Sequence, residues 1–311
     1  MKKIISILLV LSLSLLALVA CGGGNQGGNE NQGGNETPAE KTYTLVVVVD
    51  SAVNATSNKV SNTALALVID ESNKIAAARF DCAEVTPALD ENGALVAVES
   101  VETKVEQGDE YKGMDAGSWA KQTKAFEDAI VGKTADEVAN LDASLVSGCT
   151  MLSTPATFKA LVAEAFSSGL KVTFKTSEPI TLGLAVSTAV KAGRGGSVGV
   201  SSDFAGVVMA GGKVVAAMLD SCEQSFTIEE SALVAGALAA SKNEQGDNYK
   251  MDAGSWASQA QVYANFAVGK TVAELNNLDT VSDALANAGC TMQNTTGGYK
   301  ATIIKAAGYA R

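Results

Sequence analysis

The sequence predicts an α+β fold built from two tandem repeats, each a small antiparallel sheet with helices packed on it. Residues 115–142 align without a gap to 252–279, and 15 of the 28 positions are identical. The first copy reads Asp115-Ala116-Gly117-Ser118-Trp119-Ala120-x-Gln122, then Gly132-Lys133-Thr134-x-x-Glu137 and Asn140-Leu141-Asp142. The second reads Asp252-Ala253-Gly254-Ser255-Trp256-Ala257-x-Gln259, Gly269-Lys270-Thr271-x-x-Glu274 and Asn277-Leu278-Asp279. Gly-Asp-x-Tyr-Lys precedes each copy, from Gly108 and Gly246, and Gly-Cys-Thr follows each, at 148–150 and 289–291. A repeat of this length marks a duplicated structural unit, so a ligand site within it would also occur twice. Strand-like segments come before helical ones in each unit, which is the order of an α+β domain rather than of βαβ units.

The chain opens with Met1-Lys2-Lys3 and an apolar run over 4–20, the layout of a secretory signal peptide. Leu18-Val19-Ala20-Cys21 resembles a bacterial lipobox, which implies cleavage before Cys21 and its lipidation. The expected localisation is the extracytoplasmic face of the cell membrane, held by the lipid. Residues 21–41 are rich in Gly, Asn, Gln and Glu, with no apolar segment to bury, and form a disordered tether reaching roughly 25 Å. Two domains follow, at 42–169 and 170–311, each long enough to bury a core and expected to fold alone.

In the first repeat, residues 43–49 and 63–69 are β-branched and apolar, and 74–81 follow the turn Asp70-Glu71-Ser72-Asn73. In the second, 206–209, the turn Ala210-Gly211-Gly212 and 213–220 match. Asp81 and Asp220 close their strands, with a cysteine one or two residues on. Over 118–131, Trp119, Gln122, Phe126 and Ala129 share a helical face, and Trp256, Gln259, Tyr263 and Phe266 repeat it. Gly132 and Gly269 end that helix. Thr134-x-x-Glu137 and Thr271-x-x-Glu274 read as capping boxes opening a second short helix. That reading outweighs a P-loop, because Glu127 and Ala264 stand where a P-loop needs glycine. The last helix starts at the N-cap Thr154 with Pro155 at N1 and runs to Ser168, its counterpart covering 298–307.

Composition excludes several chemistries. Histidine is absent, which removes Ser-His-Asp and Cys-His catalysis and His-ligated metals, and no Cys-x-x-Cys occurs. Neither an enzyme nor a metal site is expected. The net charge of −11 argues against nucleic acid as a partner. Two cysteines per repeat in an exported chain predict the disulfides Cys82–Cys149 and Cys222–Cys290. Each would close a loop of about 67 residues, worth roughly 4 kcal/mol. Free buried thiols are the other possibility.

Candidate binding residues are few. Trp119 and Trp256 are the chain's two tryptophans, suited to core packing or to stacking on a flat ligand. Ser147-Gly148-Cys149-Thr150 and Ala288-Gly289-Cys290-Thr291 lie between helices, as a phosphate cradle or as tight turns. With Asn73-Lys74-Ile75 and Asp81, and with Gly212-Lys213-Val214 and Asp220, these loops resemble the exported FMN-binding domains of bacterial respiratory and surface redox proteins. The resemblance implies FMN as cofactor, Thr150 and Thr291 as flavin-bearing residues, and Ser147, Gly148 and Gly289 around the phosphate. It also implies a flavoprotein in envelope electron transfer, with a flavin transferase and envelope redox partners. Thr150 would be the better acceptor, because Ser147 keeps the family's serine. The competing reading is a non-catalytic surface lipoprotein that binds a solute or polymer without flavin.

Overall fold

The computed structural model describes residues 39–111, 117–151, 153–230, 232–277, 288–292 and 296–311. The signal peptide, the lipobox cysteine Cys21 and nearly all of the tether lie outside the described residues, as do Asp115 and Ala116 of the repeat. Residues 38–311 form one compact unit.

The first half begins with a meander of β1 (Lys41–Asn54), β2 (Lys59–Asp70) and β3 (Ile75–Val85). Two short strands, β4 (Ala88–Leu89) and β5 (Leu95–Val96), lead to β6 (Val98–Val101). The helices α1 (Lys104–Gln107), α2 (Trp119–Ile130), α3 (Ala135–Ala139) and α4 (Thr154–Ser167) follow. After β7 (Val172–Thr176), the second half repeats the plan with β8 (Ile180–Ala192), β9 (Val198–Ala210) and β10 (Lys213–Glu229), edged by β11 (Ala232–Ala235). Its helices are α5 (Lys242–Gln245), α6 (Trp256–Asn265), α7 (Val272–Asn276) and α8 (Thr296–Gly308), with the small ribbon β12 (Lys250–Met251) and β13 (Gly254–Ser255) before α6.

Each half is an antiparallel sheet with helices on one face, as expected. The other face of each sheet packs on the other sheet, so the layers run helix, sheet, sheet, helix. On β1, Val46 and Val48 face α2 and α4, whereas Leu45, Val47 and Val49 join Leu182, Leu184, Val186, Phe204 and Met218 between the sheets. Both faces of β1 are covered, which is why it reads as an unbroken apolar run instead of an alternation. Gly206 permits the close approach of the sheets, since a Cβ there would sit 2.6 Å from Val47 Cγ2. Gly183 does the same for α8, where a Cβ would sit 1.8 Å from the Ala306 carbonyl oxygen.

The halves also exchange edge strands. Sheet order is β3-β2-β1-β7 in one sheet and β11-β10-β9-β8-β6 in the other. β7, just past residue 170, thus pairs with β1, while β6 of the first half pairs with β8. The two repeats therefore share a core and two edges, where the sequence suggested halves that fold alone.

Local expectations fare well. Ser118 and Ser255 cap α2 and α6, and both Thr-x-x-Glu capping boxes form. Gly132 and Gly269 take φ of +79° and +84° at the ends of their helices. Their repeated Gly-Lys pairs also dock on the sheets. Gly132 N–H donates to the Ile75 carbonyl and Ile75 N–H to that of Lys133; Gly269, Val214 and Lys270 repeat the pattern. Two details differ. β3 and β10 continue past Asp81 and Asp220. The residue before α4 is Ser153, and Thr154 is already helical.

Candidate functional site

The four cysteines are free and buried, so the expected disulfides are not formed. For the second pair the reason is register. Cys82 follows Asp81 directly, but Cys222 lies two residues after Asp220. A one-residue offset in a strand reverses the face. Cys82 accordingly sits in the helix-side core with Cys149, whereas Cys222 lies between the sheets and Cys290 in the helix-side core across the sheet. Burial raises the Cys82 thiol to about 11 and the Cys222 thiol to about 12, the latter accepting a hydrogen bond from Ser51. Thiols this buried and this weakly acidic are poor nucleophiles.

The tryptophans are core residues. Each is 2% exposed. Trp119 meets Phe158 edge-on at 6.0 Å, and Trp256 meets Tyr299 edge-on at 5.8 Å, donating its indole N–H to the Tyr299 hydroxyl. Lys104 lies 5.6 Å from the Trp119 ring centre and Lys242 5.4 Å from that of Trp256. Neither indole is open to stack on a ligand.

The Gly-Cys-Thr loops are exposed, with their cysteines tucked beneath. Gly148 and Gly289 take φ of +81° and +91°, conformations that favour glycine. The repeated glutamine pins each loop. Thr150 donates its N–H (2.6 Å) and hydroxyl (3.1 Å) to Gln122 Oε1, and Thr291 does so to Gln259 Oε1 at 2.6 and 2.8 Å. Cys149 N–H is taken by the Val146 carbonyl. The donors that a phosphate cradle would need at Cys149 and Thr150 are committed inside the protein. Ser147 is exposed and lies on the same turn.

The more developed site was not read from the sequence. Period two turns Asp81 and Asp220 toward the seam between the sheets, at strand edges, where short helices meet them. Asp81 Oδ1 accepts from Cys82 N–H (2.7 Å) and from Val105 N–H at the start of α1 (3.2 Å). Asp220 Oδ1 accepts from Ser221 N–H (2.7 Å) and from Asn243 N–H at the start of α5 (3.0 Å). Burial, only partly offset by these bonds, raises Asp81 to about 6 and Asp220 to about 7. Capping boxes open both helices, Thr103 with Glu106 and Ser241 with Glu244. The signal was present: Lys104-x-Glu106-Gln107 and Lys242-x-Glu244-Gln245 extend the duplication upstream of Gly108 and Gly246.

A cleft opens at each of these places, walled by the aspartate and short helix of one half and by the end of the last helix of the other. The first, about 480 Å³, has Asp81 and Glu106 facing residues 308–311. The second, about 430 Å³, has Asp220 and Glu244 facing Glu164 and residues 167–170. The two clefts differ in charge: Arg79 and Glu127 of the first correspond to Met218 and Ala264 in the other repeat, and one further equivalent position reverses its charge. Lys159 donates to the Ala139 carbonyl at the end of α3, and Lys300 to the Asn276 carbonyl at the end of α7, which sets the helices in register. Five residues on, Glu164 matches Lys305.

In the first cleft Lys305 Nζ pairs with Glu106 at 2.7 Å, and the Tyr309 hydroxyl donates to Glu106 at 2.9 Å. Burial would raise Glu106, but the hydrogen bond from Lys305 leads a set of contacts that bring it below the usual carboxylate range. Glu127, 2% exposed beside it, pairs with Arg79 at 3.2 Å and accepts from Phe80 N–H; burial still raises it to about 7. In the second cleft, Glu164 faces Glu244. Among the described residues neither has an ion-pair partner. Burial, then Glu244 and Asp50, push Glu164 up to about 7.

Compared with family models, curated proteins and solved structures, the chain matches none. Among the described residues no helix is long and apolar enough to cross a membrane.

Proposed function

We propose that the protein is a membrane-anchored, extracytoplasmic lipoprotein that binds a small solute without transforming it, using the second seam cleft. The lipobox at Cys21 and the tether supply the anchor. The observation that carries the binding reading is the pair of clefts: of two sites built by duplication, one has its Glu106 carboxylate paired with Lys305 from within the chain, and the other holds Glu164 and Glu244 with no ion-pair partner among the described residues. A cleft of about 430 Å³ lies in the range of small-molecule sites. The flavin reading draws less support, since the buried indoles and the committed Thr150 and Thr291 give isoalloxazine and phosphate little to bind.

The test is a thermal-shift screen of amino acids, amines, short peptides, sugars and FMN on the protein without its signal peptide. A ligand that binds the folded state raises Tm by mass action. Gly169→Trp serves as the blocked control, because a Cβ there meets nothing within 4 Å and Gly169 lines the cleft. A solute that stabilises the parent and not Gly169→Trp supports the proposal. Micromolar FMN binding that survives Gly169→Trp returns the decision to the flavoprotein. Replacing Cys21 by Ala should abolish membrane retention; unchanged retention removes the anchor.

A further inference from the structure

The charge reversal between the clefts identifies the class of ligand, given that the second cleft is the binding site. Glu106 and Glu244 are the same residue of the duplicated unit, each the last member of a capping box. In the first cleft that carboxylate holds an ammonium group, Lys305 Nζ, with its alkyl stem carried on α8. Among the described residues that line the second cleft there is no lysine or arginine. Glu164 stands there instead, so two carboxylates face each other where the sister site has an ion pair.

Other features favour a cation of that kind. α4 points its C-terminal end into the cleft, and the negative pole of a helix favours positive charge within its last turn. Val47, Val48, Leu170 and Met218 line the same space, giving an apolar stem a wall to lie on. Among the described residues no three His, Cys, Asp or Glu side chains converge closely enough to hold a metal ion. A net charge of −11 draws cations toward the protein.

We propose that this cleft binds a solute bearing a primary ammonium group on a short apolar stem, with Glu164 and Glu244 receiving the ammonium and the stem lying against Leu170 and Met218. The ammonium can belong to a free amine or to a peptidyl lysine. The first cleft is then an internally liganded copy of the second.

Calorimetric titration with n-pentylamine, Nα-acetyl-lysine amide and n-pentanol tests this on the protein without its signal peptide. The two amines share head and stem, so the tighter one tells a free amine from a peptidyl lysine. The expected result is a Kd below about 10 mM for at least one amine, with pentanol about tenfold weaker or worse. Glu164→Lys, which installs the sister cleft's cation, should abolish amine binding, and Glu164→Gln should weaken it about threefold. Binding should also strengthen from pH 5.5 to 7.5, as Glu164 ionises beside Asp50 on β1, Glu244 on α5 and Asp220 on β10. Near-ultraviolet circular dichroism checks that both variants are folded, and if the lysine variant is not, the glutamine variant decides.

Pentanol binding as tightly as pentylamine, unchanged affinity in the folded variants, or no amine binding up to about 10 mM overturns the proposal. A neutral solute that stabilises the parent but not Gly169→Trp would preserve the binding reading while ending the ammonium inference.

Discussion

Gln122 and Gln259 do more than their place on an amphipathic helix suggests. They are 0% and 1% exposed, and each receives two hydrogen bonds from a threonine that lies 28 or 32 residues further on. Gln122→Ala removes an acceptor shared by two donors and empties a fully buried site, so it should cost about 1–3 kcal/mol. Urea denaturation measures this, and a change within error would mean that water replaces the glutamine. The buried carboxylates make a second prediction. Asp81 and Asp203 stand at about 6, and Glu127, Glu164 and Asp220 at about 7, all raised chiefly by burial. A raised acid keeps its proton longer in the folded state than in the unfolded one. Its stabilising contribution is complete below about pH 4 and is lost as pH climbs through 6 to 7. Glu84, Glu106 and Glu137 are lowered and act in the opposite sense, but by smaller shifts. Tm should therefore fall between pH 5 and pH 8, and a Tm that rises across that range would contradict this assignment of charge.

Elements were legible where one residue type has one local role. The capping boxes of α3 and α7, the serine caps of α2 and α6, and the glycines that end those helices follow from short-range chemistry. Thr134→Ala should lower stability by about 1 kcal/mol, whereas Ser153→Ala should change little, because Ser153 makes no side-chain cap bond to α4. Chemical denaturation of the two variants checks the contrast. Strand ends were less legible: β3 and β10 run on past their aspartates because neighbouring strands continue beside them. β8 was missed altogether. Yet its turn into β9 is written locally in Gly193-Arg194-Gly195-Gly196-Ser197, which closes a hairpin pairing Ile180–Ala192 with Val198–Ala210.

At the scale of the whole molecule the halves depend on each other. Phe174, Leu182, Phe204 and Met218 bury against β1 and β2, and β6 and β7 each complete the sheet of the other half. Residues 39–169 or 170–311 expressed alone would expose an apolar sheet face and an unpaired edge. Each should lack a cooperative unfolding transition, and mixing the two should restore one, as followed by near-ultraviolet circular dichroism. Cooperative unfolding of either isolated half would show that the shared core is dispensable.

By itself, the sequence determined the duplication, the α+β class and the helix caps, since each is written in local spacing or in identity between two segments. The tertiary structure alone decided which faces of the strands meet. That choice placed Cys222 and Cys290 on opposite sides of one sheet, buried both tryptophans, and brought Glu164 from one half against Glu244 from the other. Packing across the seam joins residues about 80 positions apart, and no local periodicity encodes that meeting.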